Sequence, residues 1–227
     1  EERELGVALV EFGGEVTNVS VYAAGMLLGL ATIPMGSADI TDAIASAFGI
    51  RRFQAERLKC VHGSAIPSPA DHREMIPVNA PGEEASGPLA RHADDKNRIP
   101  RAELVSVITL QLGRLMEEVN KALKGLGFTG QRGQQVVLTG GGAELAGLAD
   151  FAQAALGKPV RVGKVQHLKG LPEAHATPGF ATLAGLVLYA AADPIDIRTI
   201  GPRHTPTFKY KGFAIVGQVY RALREYF

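Results

Sequence analysis

The stretch QQVVLTGGGAELAGL, from Gln134 to Leu148, contains the pattern that decides the fold. It opens with an apolar run rich in β-branched residues, which predicts a buried strand. The glycines Gly140, Gly141 and Gly142 follow at once, and the alternation after them is typical of the start of a helix. The pattern therefore predicts a strand, a glycine turn and a helix over about residues 144–156.

Two uses of this glycine turn fit the pattern. In the first, the glycines only make a tight connection between the strand and the helix. In the second, they let a phosphate approach bare backbone at a helix N-terminus, where free N–H groups and a partial positive charge favour an anion. The stretch has neither the Lys-Ser or Lys-Thr of a P-loop nor the spaced glycines of a Rossmann turn, so both of those motifs are excluded.

The composition restricts the class of protein. A chain of 227 residues with 46% hydrophobic content is long enough for one large domain or two small ones with a real core. The net charge of +1 and the lack of a basic stripe argue against nucleic-acid binding. The single cysteine, Cys60, excludes an internal disulfide and suits a reducing cytosol. No apolar segment approaches the roughly 18 residues of a spanning helix, and no signal peptide opens the sequence.

Hairpins dominate the start of the chain. Residues 5–10, 16–23 and 26–33 have the pattern of three short strands. Glycine turns at Gly13 and Gly14, and again at Gly25, join them. Taken alone, the Gly13-Gly14 pair is more simply interpreted as a hairpin turn than as a ligand site. Because the chain enters a strand almost at its first residue, we expect it to be a piece of a larger protein.

Two helices and a long polar segment come next. Ser37 or Asp39 is placed to cap a helix over residues 40–48, and a second helix is predicted over residues 53–59. Residues 64–98 then mix prolines with charges. That composition predicts an exposed, mobile loop with one short strand-like run, residues 74–78.

The remainder alternates between helices and strands. Pro100 opens a long helix, and its apolar residues repeat at helical spacing to form one face: Leu104, Ile108, Leu112, Leu115, Val119 and Leu123. After the glycine turn, residues 158–162 predict a strand and residues 179–192 a helix of small residues. The whole pattern predicts an α/β domain with a mixed sheet, interrupted by a smaller inserted subdomain around residues 36–120.

The end of the chain, FKYKGFAIVGQVYRALREYF, has the pattern of an amphipathic helix over residues 208–227, after a proline-containing linker over 193–207. Its apolar side carries Phe213, Val216, Val219, Tyr220, Leu223 and Phe227. Arg221 and Arg224 lie on the other side. This arrangement is typical of a helix in a membrane interface with anionic lipids. A final helix docked on the protein's own core is the alternative.

Several motifs, in order, resemble one family. The segment VVLTGGGAELAGLADFAQAALGKPVRVG is similar to the adenosine motif of the actin, Hsp70 and sugar-kinase superfamily, in the version found in bacterial FtsA cell-division proteins. ALVEFGGEVTNVSVY resembles that superfamily's second phosphate loop. IPMGSADITDAIASAFG, AERLKCVHGSA and IPRAELVSVI are FtsA-like as well. The resemblance covers almost the whole chain and includes the amphipathic tail.

The resemblance implies an α/β, actin-like (ribonuclease-H-like) second lobe, that is, the C-terminal half of such a protein. Subdomain 2A, with the mixed sheet and flanking helices, would comprise residues 1–35 and 125–192. Subdomain 2B, a smaller inserted α+β unit, would comprise residues 36–124. The linker, residues 193–207, and the membrane-targeting helix, residues 208–227, would follow.

The resemblance also implies a nucleotide site for ATP and Mg²⁺. Gly140, Gly141 and Gly142 would lie against the adenosine and its first phosphate. Gly13 and Gly14 would offer backbone N–H groups to the outer phosphates. The Gly13-Gly14 pair would then be more than a hairpin turn.

Two residues of the AERLK motif complete the implied site. Glu56 and Lys59 would face the nucleoside, and the Glu56 carboxylate would accept hydrogen bonds from the ribose hydroxyls. Without the resemblance, a charged pair three residues apart on a helix is typical of a solvated helix face.

The second phosphate loop departs from the superfamily pattern. Glu15 stands where a third glycine is usual, and a carboxylate there would repel a phosphate. Asn18 stands where the pattern ends in aspartate. Glu11 remains as an acid that could hold a Mg²⁺-bound water. We therefore expect nucleotide binding with, at most, slow ATP hydrolysis.

For function, the resemblance implies a cell-division adaptor at the cytoplasmic face of the bacterial inner membrane, at the septum. It would tether the tubulin-like protein FtsZ by its C-terminal tail, recruit later divisome proteins and associate with itself into actin-like filaments. Arg98 and Arg101, at the start of the long helix, would meet the partner, with ordinary surface charge as the alternative. An actin-like protein of type IV pilus assembly and a superfamily sugar kinase are the competing functions.

Two further clusters are better explained without a site. Cys60 and His62 are two residues apart on a turning segment and need not meet, so we expect a structural role. His92, Asp94 and Asp95 could mimic a metal site, but they lie in a polar stretch with no second cluster of ligands. A solvated loop is the simpler prediction there.

Overall fold

The computed structural model describes residues 2–79, 98–129, 134–165, 170 and 172–192. The chain divides into two units, residues 1–187 and 188–227. In chain order the helices and strands are α1 (Glu2–Leu5), β1 (Val7–Phe12), β2 (Thr17–Ala23), β3 (Met26–Ile33), α2 (Ser37–Phe48), α3 (Arg52–His62), β4 (Met75–Pro77), β5 (Arg98–Pro100), α4 (Arg101–Gly125), β6 (Gln135–Thr139), α5 (Leu148–Leu156), β7 (Val160–Val162) and α6 (Ala181–Ala191). Of the second unit, only residues 188–192, around the end of α6, are described.

A five-stranded mixed sheet in the order β3-β2-β1-β6-β7 organises the first unit. The first three strands form an antiparallel meander, as the hairpin pattern predicts, whereas β6 runs parallel to both β1 and β7. In register, Val10 lies opposite Val19 on one side and Leu138 on the other. All three are buried, because every second residue of these strands points to the same face. The predicted α/β domain with a mixed sheet is confirmed.

The core lies on that face, under α4. The predicted apolar stripe of this helix is buried throughout, because side chains at helical spacing project to one side. The helix packs against α2 and α5. One continuous cluster of buried side chains runs from the sheet through α2, α3 and α4 to α5. A division of this cluster into separate subdomains, with residues 36–124 as an inserted unit, stays a prediction.

Several element boundaries differ from the predicted ones, and glycines cause two of the differences. Residues 2–5 form a short helix instead of joining the first strand, because Gly6 has a φ of +107° that interrupts the extended backbone. After the glycine turn the chain makes a 3-10 turn, Gly141–Glu144, and α5 begins only at Leu148. Gly147, with a φ of +75°, separates that turn from the helix.

The first part of the predicted mobile loop is anchored to the body. Asp71, Ile76 and Val78 are buried, and β4 pairs with β5. β4 lies within the predicted strand-like run of residues 74–78, and the alternation of this run buries one of its sides. Residues 80–97 of the loop lie outside the described residues, and so do the predicted linker, residues 193–207, and amphipathic helix, residues 208–227.

Within the described ranges, no helix combines the length and the apolarity needed to cross a bilayer.

Gly36, just before α2, lies in close contact with the backbone of the β1–β2 turn. A Cβ at this position would lie 2.2 Å from the Gly14 carbonyl oxygen and 2.7 Å from the Glu15 nitrogen. Gly36 is the N-cap, and the predicted cap at Ser37 or Asp39 is wrong in position because α2 already begins at Ser37. The Gly36 N–H donates to the Asp39 carboxylate at 2.7 Å, so Asp39 contributes from the third position of the helix. The β1–β2 turn and the start of α2 can therefore pack together only because residue 36 lacks a side chain.

This contact gives a matched pair of stability predictions. We expect Gly36→Ala to lower the free energy of unfolding by about 1–3 kcal/mol, since backbone atoms must shift to admit the methyl group. The control is Gly113→Ala, inside α4, where a Cβ meets nothing within 4 Å; it should raise the free energy of unfolding by about 0.5–1 kcal/mol. Urea denaturation of both variants measures the difference. Equal stability of the two would contradict the packing described.

Candidate functional site

The Gly140–Gly142 bend lies beside Phe12, the last residue of the neighbouring strand β1. A Cβ on Gly140 would come within 2.5 Å of the Phe12 carbonyl oxygen, and one on Gly142 within 2.5 Å of the Phe12 ring. Gly141 differs from both, because it is exposed and a Cβ there would meet nothing within 4 Å. Two of the glycines therefore serve packing, and the third leaves open backbone at the surface.

A second turn, Pro178–Phe180, borders the same bend. The Gly140 N–H donates to the Pro178 carbonyl at 3.1 Å, and the Gly179 N–H donates to the Glu144 carboxylate at 3.1 Å. A Cβ on Gly179 would lie 3.6 Å from the Cα of Gly141. The bend is thus fixed from both sides, by β1 and by this turn, while the outer side of Gly141 stays accessible.

The segment that follows the bend also contacts the end of α3. The Ala65 N–H donates to the Ala146 carbonyl at 2.8 Å, and a Cβ on Gly147 would come within 2.8 Å of the Ile66 side chain. These contacts bring the residues just after α3 next to the glycine bend. The C-terminal end of α3 and the glycine bend are therefore close neighbours in the fold, and the place of Glu56 beside the bend stays a prediction.

The Gly13-Gly14 turn is joined to the N-terminus of α2 through its carbonyl groups. The Ser37 N–H donates to the Gly13 carbonyl at 3.0 Å, and the Ala38 N–H to the Gly14 carbonyl at 2.7 Å. The Gly13 N–H donates to the Val16 carbonyl at 3.0 Å within the hairpin. The first turn of α2 thus satisfies its orphan donors with these carbonyls. The predicted phosphate contact of Gly13 and Gly14 stays a prediction, and Gly14 is the exposed member of the pair.

Glu11, near the end of β1, is held by two side chains. Its carboxylate accepts a hydrogen bond from the Asn18 amide at 3.1 Å and another from the Thr182 hydroxyl. The Asn18 oxygen in turn accepts from the Thr32 hydroxyl at 2.9 Å. These bonds orient the carboxylate at the same end of the sheet as the glycine bend. Among the described residues, no group of three His, Cys, Asp or Glu side chains could hold a metal ion.

Lys59 and Glu56, on α3, form a hydrogen-bonded group with α2. The Lys59 ammonium donates to the Ser37 carbonyl at 2.9 Å and to the Thr41 hydroxyl at 2.8 Å, and it lies 2.8 Å from a Glu56 carboxylate oxygen. Lys59 is only 7% exposed. The structure thus places the Lys59 ammonium inside the protein and not on a solvated helix face, whereas its predicted position facing the nucleoside stays a prediction. Glu56 remains exposed.

Partial burial raises the pKa of the Glu56 carboxyl, but hydrogen bonds from Lys59 and Thr41 outweigh that effect and hold its pKa below the ordinary value. Glu56 is therefore a carboxylate at neutral pH and a competent acceptor. Its second oxygen accepts from the Cys60 thiol at 3.4 Å. Burial, followed by the Glu56 carboxylate, raises the pKa of Cys60, so this thiol is less reactive than a free one. Cys60 thus bonds to Glu56, in line with the structural role expected of it.

Arg101, at the start of α4, is partly exposed and forms an ion pair with a buried carboxylate. Its guanidinium donates to the Asp71 carboxylate and, at 3.2 Å, to the His62 carbonyl, and Asp71 is 1% exposed. The prediction that Arg101 meets a partner is not favoured by this arrangement, because its charge is used within the fold. Arg98, in β5, is exposed. The partner role of both arginines stays a prediction.

Other predicted residues lie outside the described part of the chain. These are His92, Asp94 and Asp95, and the membrane-facing set Phe213, Val216, Val219, Tyr220, Arg221, Leu223, Arg224 and Phe227.

Sequence reasoning missed four residues that shape the region: Phe12, Thr41, Glu144 and Thr182. Phe12 was visible as the last apolar residue of a strand before a glycine pair, but its contact with Gly142 depends on the pairing of distant strands. The threonines carry no local signal, because their partners are 15 and 171 residues away in the sequence.

Comparisons with known proteins agree on one family. The sequence family described as cell division protein FtsA matches residues 8–185 of the chain. The cell division protein FtsA of Rhizobium meliloti (strain 1021) is 33% identical over 201 residues, which are 88% of this chain and 44% of that protein. The cell division protein FtsA of Escherichia coli (strain K12) is 33% identical over 190 residues, 83% of this chain and 44% of that protein.

A solved structure supports the same fold. MreB 5 of Spiroplasma citri bound to AMPPNP superposes with a TM-score of 0.60 at 14% identity, covering 85% of this chain and 55% of that one. The predicted actin-like fold is confirmed. The chain spans less than half the length of the two curated relatives above.

The packing of the bend predicts different outcomes at adjacent glycines. Gly142→Ala should lower the free energy of unfolding by about 1–3 kcal/mol, because the buried Phe12 ring cannot move away. Gly141→Ala should change it by less than about 0.5 kcal/mol, because its methyl group enters open space. Thermal or urea unfolding measures both. Phe12→Leu in the Gly142→Ala background should remove part of the loss; purely additive effects would contradict the ring contact.

Proposed function

The chain belongs to the family of the cell division protein FtsA, and we propose that it acts in bacterial cell division as an ATP-binding adaptor between FtsZ and the inner membrane. The observation that carries the nucleotide part of the proposal is the open backbone at Gly141, between two glycines that are packed against Phe12. Such a bend admits a ligand at one defined position. The structural neighbour MreB 5 is bound to AMPPNP.

The nucleotide lies across the Gly140–Gly142 bend in this proposal. Its adenosine and first phosphate rest on Gly141, where no side chain keeps them away from the backbone. Glu56 accepts hydrogen bonds from the ribose hydroxyls, which suits an exposed carboxylate with a lowered pKa. The outer phosphates extend toward Gly14, and Glu11 orients a water of the accompanying Mg²⁺.

Hydrolysis of the nucleotide is slow at most. Glu15, exposed in the β1–β2 turn, adds negative charge beside the outer phosphates. Asn18 stands in the place of an aspartate and cannot act as a general base. Its side-chain N–H already donates a hydrogen bond to the Glu11 carboxylate. ATP therefore acts as a bound ligand that sets the state of the protein.

The amphipathic segment of residues 208–227 anchors the protein at the cytoplasmic face of the inner membrane. Its aromatic and aliphatic side buries apolar area in the interface, and Arg221 and Arg224 meet anionic headgroups. A single such helix binds reversibly, so self-association into actin-like filaments strengthens the anchorage through multivalency. The protein thereby concentrates at the division septum.

The protein binds the C-terminal tail of FtsZ near the start of α4 and recruits later divisome proteins. Arg98 supplies an exposed positive charge for the tail, whereas Arg101 holds the neighbouring backbone in place through Asp71. The match to the FtsA family over residues 8–185 supports this role over pilus assembly and over a sugar kinase.

The nucleotide site is tested by a charge placed on the open glycine. Gly141→Asp should weaken ATP binding by at least about tenfold, since a carboxylate next to a phosphate is repelled, whereas the uncharged, equally sized Gly141→Asn should weaken it less. Isothermal titration calorimetry with ATP, carried out on the full-length protein and on each of the two variants, measures the affinities. Unchanged ATP binding in Gly141→Asp would remove the bend from the nucleotide site.

The adaptor function is tested by flotation with anionic vesicles. The intact protein should carry FtsZ to the vesicle fraction, and protein without residues 208–227 should leave both in solution. Val219→Glu should abolish flotation, because it places a charge on the apolar side. Gln218→Glu adds the same charge on the polar side and should retain most binding.

Two results would contradict the adaptor proposal. One is flotation that persists without residues 208–227. The other is vesicle-bound protein that leaves FtsZ behind.

A further inference from the structure

The Lys59 ammonium has no donor left for a ligand. An ammonium group carries three N–H donors. In this structure its three neighbours within 2.9 Å are the Ser37 carbonyl, the Thr41 hydroxyl and the Glu56 carboxylate. Burying this charge is unfavourable unless all its hydrogen bonds are made, and here they are. A direct contact with a nucleotide would require the ammonium to give up one of these partners.

The acceptors of Lys59 belong to the two elements that flank the proposed nucleotide. Ser37 and Thr41 lie in the first part of α2, and Glu56 lies on α3. The Thr41 hydroxyl also hydrogen-bonds to the Glu56 oxygen that faces Lys59. One carboxylate oxygen of Glu56 is thus fixed from two directions.

The same turn of α2 holds the Gly13-Gly14 turn. The N–H group of Ser37 donates to Gly13 while its carbonyl accepts from Lys59. The Ala38 N–H donates to Gly14. Glu56 and the Gly13-Gly14 turn are therefore connected through two consecutive sets of hydrogen bonds that share Ser37.

We propose that Lys59 is a positioning residue, which holds Glu56 at the ribose without contacting the nucleotide itself. The inference rests on the proposed function, because it assigns Lys59 a role in the same nucleotide site. A positioning role of Lys59 and a purely structural role predict different effects on nucleotide binding. Loss of Lys59 should impair recognition of the ribose hydroxyls, because Glu56 is the residue proposed to contact them.

The test compares ATP with 2′-deoxy- and 3′-deoxy-ATP. In the protein as the cell makes it, we expect ATP to bind more tightly than at least one deoxynucleotide. Glu56→Gln should reduce the preference for ATP over the deoxynucleotide by roughly tenfold or more, because it replaces a hydrogen bond to a charged group by one to a neutral group. Lys59→Met should reduce the preference similarly, and the double variant should be no worse than either single one.

Lys121→Met is the matched control. Lys121 pairs with Glu118 at 2.6 Å on the surface of α4, and its side chain is 69% exposed. The substitution is the same as at Lys59, but it should leave the affinities for all three nucleotides unchanged. If Lys59→Met does not fold, Thr41→Val serves instead, because it removes the second donor to Glu56 and keeps the ammonium. Thr41→Val should lower the ribose preference as well.

The outcomes separate this inference from the proposed function. If the unmodified protein binds no ATP, the proposed nucleotide site fails and the inference fails with it. If it binds ATP, the inference alone is overturned by either of two results: a ribose preference that survives Lys59→Met or Thr41→Val, or losses from Lys59→Met and Glu56→Gln that multiply in the double variant. Multiplied losses would identify Lys59 as a direct contact.

Discussion

The close approach of the Gly140–Gly142 bend to Phe12 is the constraint on which the candidate site depends. β1 and β6 are parallel neighbours, so the ends of both strands meet at one edge of the sheet. Phe12 fills the core at that edge and leaves room for backbone alone. Gly140 and Gly142 fit against Phe12 because they have no side chains, and Gly141 between them faces outward. The open backbone that a phosphate requires is a result of packing in the core beneath it.

A second set of contacts joins the sheet to the helices around it. The Gly13-Gly14 turn, the first turn of α2 and Lys59 are linked by hydrogen bonds that involve mostly backbone atoms. Because backbone groups define these bonds, side-chain changes at Ser37 or Ala38 leave the link in place. Gly36, where a methyl group would overlap the opposite turn, Gly13, where it would lie 2.7 Å from the Val16 carbonyl oxygen, and Lys59 itself are restricted in identity. The arrangement explains how a loop with an unusual carboxylate, Glu15, keeps its position next to α2.

Much of the fold could be predicted from local pattern. The hairpins, the apolar stripe of α4 and the strand before the glycines all follow from spacing, because one period dominates each segment. The boundaries at Gly6 and Gly147 could not be predicted, since their positive φ angles reflect tertiary packing as well as glycine's freedom. The burial of Lys59 was hidden for a similar reason. Its acceptors at residues 37 and 41 are distant in sequence, and a helix-surface pair such as Glu56 and Lys59 has the same spacing whether it is solvated or covered.

The Asp71–Arg101 pair also has a consequence for how this protein can change over time. Together with the β4–β5 pairing, it clamps the two ends of the segment between residues 77 and 98 against the body. The entropy of closing a chain between fixed ends grows only with the logarithm of its length, about 0.6 kcal/mol for each doubling. Insertions on the β5 side of Asn79 therefore cost little, whereas a deletion that removes the buried Val78 would open the core. The clamp makes this segment a natural place for lineages to diverge in length, and an internal fluorescent tag placed there would report on the protein in living cells.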